Sequence, residues 1–120
     1  MPSEVFMMPV ILEGGAIASA AITTLQTNPV AGCCCVVVLS VMAVDKTNDI
    51  ANSIEIGILE GTREIPVASQ AGTIAKGTGF SIRTPCVLRE GQRIYAKFDI
   101  PSSGDELFVV AHGFLRPYCL

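Results

Sequence analysis

Ile94, Ala96, Phe98 and Ile100 fall on one side of an extended chain, and Tyr95, Lys97 and Asp99 fall on the other. A repeat of two residues does not fit a helix, where one face recurs every three or four positions, so this stretch is a half-buried strand. Glu106 to Leu115 has the same repeat with a different content. Leu107, Val109, Ala111 and Leu115 lie on one side, with Phe108, Val110, His112 and Phe114 on the other, so both faces are largely apolar. Between the two runs, Pro101-Ser-Ser-Gly-Asp105 supplies a proline stop and a glycine turn, which predicts an antiparallel hairpin with a loop of about five residues.

The rest of the chain follows the same grammar. Ser53 to Glu60 alternates through Ile54, Ile56 and Ile58, and Glu60-Gly61-Thr62 turns it into Arg63 to Ala68, a second hairpin. Gly72, Gly77 and Gly79 space out a weaker stretch with a short strand expected near Ile74. Phe80-Ser-Ile-Arg83 alternates again, Pro85 ends it, and Glu90-Gly91 turns the chain into the Ile94 strand. Cys33 to Val44 is β-branched and apolar on both faces, which suits a central strand between layers. In Ala16 to Gln26 the alanines favour a helix while Ile22, Thr23 and Thr24 favour a strand, and the strand is the reading adopted. About eight short strands with regular turns predict an all-β fold, an antiparallel β-sandwich of jelly-roll type. No linker divides the 120 residues, so a single domain is expected over 1–120. Met1 to Pro9, with Phe6, Met7 and Met8, reads either as a short apolar arm or as an edge strand.

Half of the residues are hydrophobic and 16% are charged, against about 25% charged in an ordinary soluble domain. Either a membrane or protein partners must cover the excess apolar surface. The longest apolar run, Val30 to Val44, is broken by Ser40 and falls short of the roughly 20 residues a spanning helix needs, so no membrane is expected. Met1-Pro-Ser-Glu lacks the positive charge that begins a signal peptide, and the expected place of synthesis and residence is the cytoplasm. A net charge of −3 with eight scattered basic residues argues against a nucleic-acid surface.

Catalytic and metal chemistry finds few candidates. His112 is the only histidine, so a Cys-His or Ser-His mechanism must use it, with Cys86 or Cys119 as the nucleophile; a hydrogen-bonded structural role is the simpler reading. The carboxylates at Glu55, Glu60, Glu64, Glu90, Asp99, Asp105 and Glu106 look like turn and surface residues. The glycines match no phosphate-binding or dinucleotide fingerprint. Five cysteines, three of them consecutive at Cys33, Cys34 and Cys35, are poor disulfide design, and adjacent strand residues point to opposite faces, so they cannot converge on one metal. Asp45, Asn48 and Asp49 lack the spacing of a calcium loop. No catalytic residue, cofactor or metal is expected.

Cys86 to Ile100, CVLREGQRIYAKFDI, and Pro101 to Leu115, PSSGDELFVVAHGFL, resemble the closing hairpin of small virion β-sandwiches and are similar in style to the cement, or decoration, proteins of tailed-bacteriophage capsids. The resemblance is one of style and covers about the last 35 residues. It implies a structural virion protein, not an enzyme, that binds the major capsid protein or another virion protein as a homo-oligomer, a trimer being one form. Low charge and apolar strand faces fit such a role independently, because clamping needs area more than a cleft. The residues expected at the contact are Phe6, Met7, Met8, Phe108, Val110 and Phe114. The alternatives are a tail or neck ring component, a small-ligand-binding β-barrel and a Cys/His hydrolase. Each requires its own feature: a head-to-tail interface, a closed apolar cavity, or His112 within reach of a cysteine.

Overall fold

A computed structural model describes residues 8–19, 22–32, 34–47, 53–71, 79–83, 85–99, 101 and 103–117. They form nine strands: β1 (Met8–Ile17), β2 (Thr23–Gln26), β3 (Cys34–Asp45), β4 (Ile54–Glu60), β5 (Arg63–Gln70), β6 (Phe80–Ile82), β7 (Cys86–Leu88), β8 (Arg93–Phe98) and β9 (Glu106–Pro117). One sheet runs β1-β9-β3-β6, with β7 also paired to β3, and the other runs β2-β8-β4-β5. Every pairing is antiparallel. Apart from β4 to β5 and β6 to β7, each successive strand changes sheet. This is the strand order of a jelly roll, and the expected all-β sandwich is what the chain forms.

The alternation seen in sequence decides which residues meet between the sheets. Val38, Val41, Ala43, Val109 and Ala111 of the first sheet and Ile54, Ile56, Ile94, Ala96 and Phe98 of the second are almost fully buried and form one cluster. Thr27 is buried at its margin, where its Oγ1 accepts a hydrogen bond from the Ile94 N–H (3.1 Å) and donates one to the Asn28 carbonyl (3.1 Å). A buried hydroxyl satisfied in this way costs little.

The β4–β5 hairpin forms as expected, turning through Gly61, whose φ of 62° suits a residue without a Cβ. Cys33 to Val44 does contain the central strand: β3 lies between β9 on one side and β6 and β7 on the other. Its length has two causes. It pairs with the long β9 throughout, and it absorbs one extra residue at a register shift between Val38 and Ser40.

Two expectations need correction. The Ile94 and Glu106 runs are not a hairpin, because β8 belongs to the second sheet and β9 to the first. The connection begins tied to one sheet, where the Asp99 N–H bonds to the Ser53 carbonyl, and ends tied to the other, where the Gly104 N–H bonds to the Ala18 carbonyl. Ala16 to Gln26 is not one strand: β1 ends at Ile17 in the first sheet and β2 begins at Thr23 in the second. Of the two readings of Met1 to Pro9, the edge strand is what Met8 and Pro9 form: they begin β1, paired with Leu115 and Phe114. Phe6, Met7 and the stretch around Ile74 lie outside the described residues.

A candidate interaction face on the first sheet

Each sheet has one face on the core and one outward, and the two outward faces differ. On the second sheet, Thr24, Gln26, Glu55, Glu64, Arg93, Tyr95 and Lys97 point outward, with Leu59 and Pro66 the apolar residues among them. Four of these side chains are engaged in two pairs. The Lys97 ammonium pairs with Glu64 across β4, and the Tyr95 hydroxyl donates to the Glu55 carboxylate. Burial beneath its neighbours, reinforced by that bond and by the charges of Glu55 and Glu64, pushes the Tyr95 pKa well above its ordinary value. This is a face built for water.

The outward face of the first sheet is built from the other half of the alternation. β9 places Phe108, Val110, His112 and Phe114 on it, and the register sets them beside Val44, Met42, Ser40 and Val37 of β3. On the opposite flank they meet Gly15, Glu13, Ile11 and Pro9 of β1. β7 adds Val87 next to Val37, and the extra residue of the β3 bulge, Leu39, also projects outward. Ile11 is 58% exposed, Leu39 43%, Val87 53% and Ile17 64%. Glu13 is the one charged residue within the field. Lys46, over the Phe108 ring at 5.2 Å, and Glu106 and Arg116 mark its ends.

Three strands of ten to twelve residues and two of three, about 4.8 Å apart with a rise of about 3.4 Å per residue, give this face a geometric area of roughly 650 Å². Isolated exposed apolar residues are ordinary, but a mainly apolar face of this extent, interrupted by Glu13, Ser40 and His112, is near the roughly 800 Å² that each partner contributes to a standard interface. A shallow depression of about 470 Å³ lies within it, walled by Pro9, Ile11, Leu39 and Phe114, with His112 and Gly113 beneath.

Of the residues expected at a contact, Phe108, Val110 and Phe114 share this face and are half-buried in the chain alone. Met8 is 60% exposed but carries the inward parity of β1, at the strand's end beside Leu115. Sequence reasoning missed Ile11, Leu39, Met42 and Val87. The signal was present for Met42, which lies on the opposite face of its strand from Val41. It was absent for Leu39, whose direction depends on the bulge.

The histidine and the cysteine proposed as a reactive pair are separated by the sheet. His112 points outward, whereas Cys86 pairs with Val38 and packs against the core, where burial raises its thiol pKa. Cys119 lies outside the described residues, and Cys34, Cys35 and Cys86 are free thiols. Among the described residues no group of three or more His, Cys, Asp or Glu side chains is placed to hold a metal, and no helix is long and apolar enough to cross a membrane.

No family model and no curated protein matches the chain. Among solved structures, the Drosophila NLP core, whose crystal structure is described as giving insight into pentamer formation and histone binding, is similar over 87% of this chain and 97% of its own. The identity is 17% and the TM-score 0.36, too loose a likeness to carry either property to this chain.

Proposed function

We propose that this chain is a non-enzymatic structural subunit of a virion, a cement protein that assembles as a homo-oligomer through the outward face of its first sheet and fastens onto a phage capsid. The observation that carries the reading is the difference between the two outward faces, one mainly polar with Lys97 and Glu64 paired, the other mainly apolar over an interface-sized area. A soluble protein with such a face gains by covering it, and an area without a deep cleft suits a clamp. The separation of His112 from Cys86 weighs against the hydrolase alternative, and two open sheets over a filled core weigh against a ligand-binding barrel. Jelly rolls recur in viral capsids and also in lectins, so the fold adds only an analogy.

The test is to express the chain with and without the shell protein encoded in the same genome and to sediment the particles. Under the proposal the chain pellets with assembled shells and raises the temperature at which they break open. A chain that stays in the supernatant when shells are in excess, or a genome that encodes no shell protein, contradicts it.

A further inference from the structure

The edge strand β1 offers a second way for two copies to meet. The Ala18 N–H donates to the Asp105 carbonyl (2.8 Å), the Ala18 carbonyl accepts from the Gly104 N–H (2.9 Å), and the β1–β9 register runs without a shift from Ile17 to Met8. Backbone groups alternate sides along an antiparallel strand. The even-numbered residues of β1 therefore bond to β9, and the N–H and C=O groups of Ile11, Glu13, Gly15 and Ile17 point away from the sheet. Pro9, which has no N–H to offer, lies on that same outer side.

Such edges are normally blunted, and the other edges among the described residues are. β2 has four residues and β6 and β7 three each. β5 carries Arg63, Glu64 and Pro66 and a register shift opposite Ile56 and Gly57. β1 has ten residues, no bulge and, past Pro9, Glu13 as its only charge, while Ile11 and Ile17 stand exposed.

We infer that β1 pairs antiparallel with β1 of a second copy about a two-fold axis at Gly14. A symmetric pairing that keeps the core faces together and brings outward-pointing backbone groups opposite one another has few registers. Centring on Leu12 sets Gly15 against Pro9, which lacks a donor. Centring on Glu13 sets that carboxylate against its own copy. Centring on Gly14 sets Ile11 against Ile17 and Glu13 against Gly15, so that every exposed N–H and C=O from Ile11 to Ile17 is paired, about eight hydrogen bonds at two for each facing pair. It also brings the two exposed isoleucines together on the outward face, and at the axis the two strands meet at residues without side chains. The two first sheets become one, and their apolar faces lie side by side. The pairing stands independently of the virion reading, which concerns what covers that face.

The test is cross-linking. Chains carrying Ile11→Cys are mixed in equal amounts with chains carrying Ile17→Cys and oxidised mildly beside wild type and each variant alone. The mixture is expected to form at least five times more covalent dimer than wild type or either single variant. Cross-linking in the mixture no higher than in wild type overturns the inference. Gly15→Pro provides the second arm, since it removes an outward N–H while leaving the bonds to β9 untouched. Its mass by light scattering is expected to fall to half that of wild type, and an unchanged mass overturns the inference. Val87→Asp, on the same face but separated from this edge by β3 and β9, is expected to retain the Ile11–Ile17 cross-link when built into both chains.

Discussion

Tyr95 shows how a residue on the polar side of a strand becomes a titration point. Its parity sends it outward, yet its side chain is fully covered and its hydroxyl is held by Glu55. Cys86 and Lys97 are shifted in the same direction, the thiol by burial and the ammonium first by its hydrogen bond to Glu64. All three hold their protons more tightly folded than unfolded. The unfolded chain therefore releases protons first as pH rises past the ordinary values of 9.0, 10.0 and 10.5. Stability from these groups is complete at neutral pH and declines from about pH 9 upward. Urea midpoints measured from pH 7 to 11 are expected to be level up to about pH 9 and then to fall. Tyr95→Phe should lose about 1–2 kcal/mol at pH 7 through the missing bond to a charged acceptor and show a shallower fall above pH 10. An equally steep fall in the variant would remove Tyr95 from this account.

At the level of elements, β7 places opposite directions side by side. Leu88 points into the core and is fully buried, while Val87 next to it is half exposed on the outward face. Leu88→Ala is expected to cost about 2–5 kcal/mol of unfolding free energy, and Val87→Ala about 0.5 kcal/mol or less. Denaturant melts of the two variants check both, and equal costs would mean that the strand's faces are misassigned. The same alternation made β8, β9, the β4–β5 hairpin and the central position of β3 legible in the sequence. What it did not reveal was the partner of β8. Alternation names the buried side of a strand but not the sheet it joins, and Pro101 to Asp105 serves equally as a hairpin loop or as a crossing between sheets about 10 Å apart. The outward-facing Phe108, Val110 and Phe114 were legible because β9 is regular, whereas Leu39 depended on a bulge that no local signal announces.

For the whole molecule, the central claim is that the outward face of the first sheet is covered by other copies or partners. The register refines how to test it. Val110 lies opposite Glu13, so Val110→Asp sets two carboxylates together even in an isolated chain. Phe114, between Pro9 and Val37, has no acidic cross-strand neighbour and is the cleaner site. Lys97→Asp is a poor control, because Lys97 lies opposite Glu55 and pairs with Glu64. Thr24→Asp, exposed on the polar face and opposite Lys97, is a better one. The most direct measurement is light scattering of wild type, Phe114→Asp and Thr24→Asp at micromolar concentration. The account predicts a wild type of at least twice the 12.6 kDa chain mass, an unchanged Thr24→Asp, and a Phe114→Asp that dissociates or precipitates because assembly would bury an unpaired carboxylate. A soluble wild-type monomer of 12.6 kDa, or a Phe114→Asp indistinguishable from wild type, contradicts it.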